Sequence, residues 1–226
     1  MAARLNVVML GPPGAGKGTQ AERLARAHSL PKISTGDMLR EAVREGTPVG
    51  AQAKAIMDRG ELVNDDLMVE IVSRRLNRPD VATGFILDGF PRTVPQAKAL
   101  DAFIAPRGAL IVLNLEVRDE LLVNRLTSRL ICSACGANAD PQGDGESREP
   151  KTRCAYCGGM LARRSDDEVA VIAERLKLYH RESEPLLEYY RERATFFAVD
   201  GARPAAEVTD ALSAAVAGCR SFIRSA

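Results

Sequence analysis

The 226-residue sequence contains no apolar run that approaches the ~20 residues a membrane-spanning helix needs. It also has almost no net charge, +1, so its charge balance points to neither nucleic acid nor a membrane surface as a partner. The first residues lead directly into a strand-like segment, which leaves no room for a signal peptide. We therefore expect one cytoplasmic domain over residues 1–226, with an insertion or two.

Disulfides are not expected either, because thiols stay reduced in the cytosol. Four of the five cysteines nevertheless crowd into residues 132–157. In a reducing compartment, such a cluster indicates metal ligands.

Short apolar runs alternate with helical patterns along the chain. Strands are predicted at residues 5–10, 85–88, 110–113 and 196–199, and helices at 17–28, 35–45, 48–59, 65–77, 94–105, 118–127, 168–193 and from 204 onward. Pro185 is expected to kink or split the long helix. The alternation predicts an α/β fold, with a parallel sheet covered by helices on both faces. Residues 132–164 break this rhythm and are interpreted as an insertion.

A glycine-rich turn, GPPGAGKGT at residues 11–19, lies between the first strand and the first helix. Glycines allow the backbone to turn its N–H groups inward, and the helix N-terminus adds its dipole toward the same anion. Lys17 supplies a charge for the β- and γ-phosphates. Gly18 occupies the usual Ser/Thr position and Thr19 follows it. Glycine turns without function are common, but this order of strand, turn, lysine and helix favours a phosphate-binding loop.

Two further segments, STGDMLR at residues 34–40 and LDGFPR at residues 87–92, complete a pattern. Together with the glycine-rich turn, they resemble nucleoside monophosphate kinases, and adenylate kinases in particular. The resemblance implies a P-loop parallel sheet with a helical AMP-binding insertion, residues 34–63, and a zinc-ribbon-like lid, residues 128–167. It also implies a monomeric kinase that converts ATP plus AMP into two ADP, with Mg²⁺ bound to ATP.

The resemblance assigns roles to individual residues. The positions matching ATP-binding residues are Gly14, Ala15, Gly16, Lys17, Gly18, Thr19, Arg125, Arg129 and Arg203. The positions matching AMP-binding residues are Thr35, Arg40, Glu61, Leu62, Val63, Gly89, Arg92, Gln96, Arg164 and Arg175. The implied catalytic residues are Lys17, Arg92, Arg129, Arg164 and Arg175. Asp88 is expected to organise Mg²⁺ through water, and Asp37, Asp166 and Asp167 match family acids without assigned roles.

These arginines suit the chemistry that the resemblance implies. A single arginine on a helix is more often solvated, and only its place in a recognisable segment reverses that interpretation. Phosphoryl transfer depends on positioning and on cations, and needs no protein nucleophile.

The cysteine cluster consists of two CxxC pairs, Cys132 with Cys135 and Cys154 with Cys157, separated by eighteen residues. This spacing predicts a tetrahedral thiolate site for structural Zn²⁺, with iron as a lesser alternative. Some long-lid adenylate kinases carry such a site. Residues 137–145 depart from the aromatic and paired-proline stretch that is usual there. Cys219 is left over as an ordinary thiol.

Two other functions compete with this interpretation. One is a nucleoside monophosphate kinase for another base, which nucleotide assays distinguish. The other is a zinc-ribbon nucleic-acid-binding protein regulated by ATP. The near-neutral charge and a ribbon with Tyr156 as its only aromatic residue weigh against that second alternative.

Overall fold

The computed structural model describes residues 4–139 and 152–225. The strands are β1 (Leu5–Leu10), β2 (Lys32–Ser34), β3 (Gly84–Asp88), β4 (Leu110–Glu116), β5 (Ile131–Cys132), β6 (Leu161–Ala162) and β7 (Phe196–Asp200). The α-helices are α1 (Lys17–His28), α2 (Thr35–Arg44), α3 (Pro48–Asp58), α4 (Asp65–Leu76), α5 (Val94–Ile104), α6 (Asp119–Thr127), α7 (Val169–Leu178), α8 (Pro185–Arg191) and α9 (Ala205–Ser225).

Five parallel strands form the central sheet in the order β2-β3-β1-β4-β7. All six residues of β1 are buried, as a strand covered on both faces requires. One apolar cluster includes Leu24 and Leu212 on one face, and a second includes Val72 and Leu100 on the other. The predicted α/β fold is confirmed. Strand β2 was not predicted, because three residues are too few to show a period.

The strand register positions the ends that matter for the site. Met9 in β1 pairs with Asp88, the last residue of β3, so the glycine-rich turn after β1 starts beside Asp88. In parallel sheets, ligands bind at this carboxyl edge.

Helix boundaries follow capping side chains. Ser34, Thr47 and Thr93 each accept a hydrogen bond from the backbone N–H three residues ahead, so α2, α3 and α5 start where the sequence predicts. The predicted long helix is split: a π-helical turn, Tyr179–Ser183, follows α7, and Pro185 begins α8.

Helices α2 and α3 pack backbone against backbone at Gly50. A Cβ atom at Gly50 would lie 2.1 Å from the carbonyl oxygen of Ala42, so no larger residue fits there. The contact fixes one helix against the other.

The cysteine-rich insertion has its own sheet, in which β5 pairs antiparallel with β6. Residues 140–151, which include most of the unusual stretch at 137–145, lie outside the described residues. Within residues 4–139 and 152–225, no helix combines the length and apolar character needed to cross a bilayer.

Candidate active site

A cleft of about 1460 Å³ opens at the carboxyl edge of the sheet. Every residue that the sequence assigned to ATP or AMP lines it, and so does Asp88. The fold therefore gathers side chains from β3, the helices and both insertions into one space. Their contacts with nucleotides stay a prediction.

The glycine-rich turn ends at Gly16, the N-cap of α1. Gly16 has a φ of 96°, a conformation that favours glycine, and no side chain caps the helix there. The N–H groups of the first helical turn are therefore available to an anion. Lys17 Nζ donates to the carbonyl oxygens of Gly11 at 2.7 Å and Pro12 at 2.8 Å, so the ammonium lies over the loop.

Lys17 lies among charges that perturb it. Burial lowers the pKa of Lys17 to about 8; Asp88 opposes this shift, whereas Arg92, Arg175 and Arg129 add to it. A group whose charged form is this costly gains most from a bound polyanion. The surroundings of Lys17 are therefore suited to phosphate.

Three of the arginines that line the cleft with Lys17 have a lowered pKa. Confinement in the cleft, followed by the charge of Arg175, lowers the pKa of Arg92 to about 10, although solvent still reaches the side chain. Burial and then Arg40 lower the pKa of Arg164 to about 10, and burial also lowers the pKa of Arg175. The Nε atom of Arg164 is buried without a hydrogen-bond partner within the described chain. Such converging cations suit a multiply charged anion.

Acids hold part of this cluster in place. Arg129 donates from Nε to the carboxylate of Asp167 at 2.7 Å, and Arg175 Nη1 lies 3.2 Å from the same carboxylate and 3.0 Å from Asp166. Arg40 forms an ion pair with Asp37. Burial alone would raise the pKa of Asp166, but Arg175 and Arg164 hold it below its usual value. These contacts give the family acids a positioning role that the sequence left open.

The opposite side of the cleft contains the residues assigned to AMP. Thr35 Oγ1 donates to the carbonyl oxygen of Gly89 at 2.9 Å, and Arg92 Nε donates to the same oxygen at 2.9 Å. Gln96 Oε1 accepts from the backbone N–H of Arg92 at 2.8 Å. The guanidinium of Arg92, which suits a phosphate, and the amide of Gln96, which suits a base edge, are thus held close to one short segment.

Residues near the chain's C-terminal end also reach the cleft. Arg125 Nη1 donates to the carbonyl oxygen of Gly201 at 2.9 Å, which joins α6 to the loop before α9. Arg203, in that loop, lies 2.7 Å from Glu207. Its side chain is therefore occupied locally, and its backbone is the part expected near ATP.

Sequence reasoning missed one residue that lines the cleft, Asn138, and one that contacts a lining residue, Asp65. Asn138 places its Nδ2 atom 3.5 Å, and Asp88 its Oδ2 atom 3.3 Å, from where a Cβ of Gly18 would lie, so the lid segment reaches the phosphate loop. Asp65 contacts Gln96. Asn138 lies in the unfamiliar stretch, and Asp65 resembles an ordinary helix-start acid, so neither carried a signal.

The four cysteine sulfurs meet as the spacing predicts. All lie within 4.8 Å of one another, with Cys132 and Cys157 3.4 Å apart and Cys135 and Cys154 3.7 Å apart. Zinc bonds of about 2.3 Å place tetrahedral sulfurs about 3.8 Å apart. The donor set fits structural Zn²⁺ and leaves no open position for catalysis.

Comparisons with known proteins agree with this geometry. The family model described as "Adenylate kinase" matches residues 9–195. The adenylate kinase of Methanosarcina acetivorans is 46% identical over 217 residues, covering 94% of this chain and 99% of that protein. Those of Paramagnetospirillum magneticum and Archaeoglobus fulgidus are 47% and 46% identical, covering 92% and 88% of this chain and 96% and 92% of those proteins. The chain belongs to the adenylate kinase family.

Proposed function

We propose that this chain carries out the adenylate kinase reaction, Mg²⁺-dependent conversion of ATP plus AMP into two ADP, by electrostatic stabilisation in the cluster around Lys17. A phosphate oxygen of AMP bonds to the γ-phosphorus while the bond to the oxygen between the β- and γ-phosphorus breaks, so no protein nucleophile is required. The convergence of Lys17, Arg92, Arg129, Arg164 and Arg175 on one cleft carries this proposal. Their charges balance the negative charge on the moving group.

ATP occupies the side of the cleft formed by the glycine-rich loop. Backbone N–H groups of residues 14–19 and the Lys17 ammonium hold its β- and γ-phosphates. Arg125 lies beside the adenine. Its hydrogen bond to the carbonyl oxygen of Gly201 keeps it near the backbone around Arg203.

AMP occupies the side formed by α2, α5 and the loop between α3 and α4. Arg40 and Arg92 hold its phosphate, while Thr35, Gln96 and residues 61–63 surround its adenine. The hydrogen bonds to Gly89 support this arrangement, because they keep Thr35 and Arg92 close together.

Asp88 would hold, through water, the Mg²⁺ ion bound with ATP. That ion would supply positive charge that offsets the charge of the phosphate groups. The support for this role is position: Asp88 ends β3 next to the loop, and its Oδ2 lies 3.3 Å from where a Cβ of Gly18 would be.

The lid segment, residues 128–167, and the AMP-side segment, residues 34–63, close over the substrates. Closure keeps water from the γ-phosphate and brings Arg129 and Arg164 to it together. A Zn²⁺ ion held by the four cysteines would stabilise the described part of the lid segment and would take no part in the reaction. The protein acts as a cytoplasmic monomer and uses no nucleic-acid or membrane partner.

A nucleotide panel tests the substrates. Purified protein with ATP and Mg²⁺ is assayed with AMP, GMP, CMP and UMP, with Lys17→Met as the control for contaminating kinases. We expect ADP formation and a clear preference for AMP. A preference for a pyrimidine nucleotide would overturn the AMP assignment, and no ADP from ATP plus AMP would overturn the reaction.

Relaxation dispersion NMR tests the moving parts. Exchange in residues 34–63 and 128–167 should be quenched by a bisubstrate analogue that spans both sites. Identical dispersion with and without the analogue would contradict closure.

A further inference from the structure

The side-chain amide of Gln96 lies between two partners of opposite hydrogen-bonding character. Its Oε1 accepts from the backbone N–H of Arg92 at 2.8 Å, and its Nε2 donates to Oδ1 of Asp65 at 2.7 Å. A backbone N–H can only donate and an ionised carboxylate can only accept. A flipped amide would therefore place NH₂ against N–H and oxygen against carboxylate, so one orientation is imposed.

Asp65 is itself held in place. Its Oδ2 accepts a hydrogen bond from Thr93 Oγ1 at 2.8 Å. Thr93 is the buried N-cap of α5, and its Oγ1 also accepts a hydrogen bond from the backbone N–H of Gln96 at 3.4 Å. Asp65 is the first residue of α4, and only the N-cap Asn64 separates it from the AMP-side segment. Its carboxylate therefore joins the start of α4 to the start of α5.

The fixed amide keeps one N–H and one oxygen lone pair for a ligand, and Gln96 lines the cleft. Adenine presents a donor at its 6-amino group and an acceptor at N1, and a side-chain amide, with one oxygen acceptor and one NH₂ donor, can pair with that edge through two hydrogen bonds. A 6-oxo purine reverses both, with an acceptor at position 6 and a donor at N1. An amide free to flip would accept either base, whereas a fixed amide accepts one.

We propose that Asp65 is a positioning residue that fixes the orientation of the Gln96 amide and so makes the site select 6-amino over 6-oxo purine nucleotides. The proposal rests on the role of Gln96 in AMP binding given above. Asp65 does not touch the nucleotide and acts through Gln96.

The test compares AMP with inosine monophosphate, whose base differs from adenine only at the 6-substituent and the N1 proton. The ratio of kcat/KM for AMP to kcat/KM for inosine monophosphate is measured with ATP and Mg²⁺ at fixed concentrations. We expect Asp65→Ala to lower this ratio by about tenfold or more. Asp65→Asn should lower it less, because an asparagine can present either its oxygen or its NH₂ to Gln96. The KM for ATP should not change.

The matched controls are Asp66→Ala and Asp66→Asn, which remove the neighbouring exposed acid from the same first turn of α4. They should leave the ratio unchanged. A purely structural role for Asp65 would lower the melting temperature and raise both KM values together without moving the ratio, and that result would overturn the proposal.

Gln96→Ala separates this inference from the proposed function. An unchanged ratio in Gln96→Ala would show that Gln96 does not read the base, which overturns its assigned role. A collapsed ratio in Gln96→Ala with a wild-type ratio in both Asp65 variants would leave that role intact and overturn the role of Asp65.

Discussion

Arg129 and Asp167 form a two-point ion pair, with Nε and Nη2 of the arginine 2.7 Å and 2.5 Å from the carboxylate oxygens. The residues are 38 apart in sequence and lie at the two ends of the lid segment. Asp167 is 8% exposed, so water screens the pair little. The contact thus joins the two ends of the lid segment, as a clamp, and also fixes the orientation of Arg129 in the cleft.

Replacing Asp167 with asparagine should weaken both the fold and catalysis. The change leaves Arg129 and Arg175 close together without their shared carboxylate, and breaking a buried pair costs about 3 kcal/mol. For a chain of this size, the melting temperature should fall by about 6–12 °C. The kcat should also fall, because Arg129 loses its orientation. Calorimetry and steady-state kinetics measure both, and Glu168→Gln, an exposed neighbour, is the control. Wild-type values for Asp167→Asn would refute the clamp.

Lys17→Met should lower kcat by about 10²–10³-fold, the usual cost of losing one stabilising cation or donor. The fold should remain and its melting temperature should not fall, because burial, and then repulsion from Arg92, Arg175 and Arg129 that Asp88 only partly offsets, makes the charged form of Lys17 unfavourable. Coupled-assay kinetics and thermal melts test this, with the exposed Lys98→Met as control. Retained turnover would mean that the loop does not hold the transferring phosphate.

The pKa of about 8 for Lys17 predicts a pH dependence. Lys17 is charged below this pH, so kcat/KM for ATP should fall as pH rises through about 8, while kcat falls at higher pH because bound phosphates favour the charged form. Arginine stays charged throughout, so Lys17→Arg should lack this fall in activity. If the fall persists in that variant, it belongs to another group.

The same pKa bears on stability. The pKa of Lys17 in the folded state lies below the ordinary lysine value of 10.5, so the folded state binds fewer protons than the unfolded state between pH 8 and 10.5. The stability cost of Lys17 therefore diminishes as pH rises through that range.

Removing the metal should destabilise the lid more than it slows the reaction at low temperature. Cys132→Ser, or a strong zinc chelator, should reduce bound zinc from about one per chain and lower the melting temperature, because the ion replaces an apolar core in this insertion. Metal analysis and thermal melts provide the measurements. The control is Cys219→Ala, which removes a buried thiol outside the cluster; the protein with this change should still bind zinc. An unchanged melting temperature in Cys132→Ser would show that the ion has no structural role.

The features that could be predicted from the sequence are those that leave a pattern in residues close together along the chain. The alternation of apolar runs predicted the parallel sheet, the glycine-rich motif around Lys17 predicted the loop after β1, and the two CxxC pairs predicted the cluster of cysteine sulfurs. The features that could not be predicted join distant positions: Arg129 meets Asp167, and Asp65 meets Gln96, 31 residues away. Both acids are ordinary helix-start or loop acids locally, and only the fold reveals their partners.

The close packing of α2 on α3 at Gly50 has a mechanical consequence. With backbone against backbone, no side chain lies between Gly50 and Ala42 to be compressed or rearranged. We therefore expect a displacement of α2, which holds Arg40, to move α3 with it. A phosphate that draws Arg40 toward it should therefore shift both helices together.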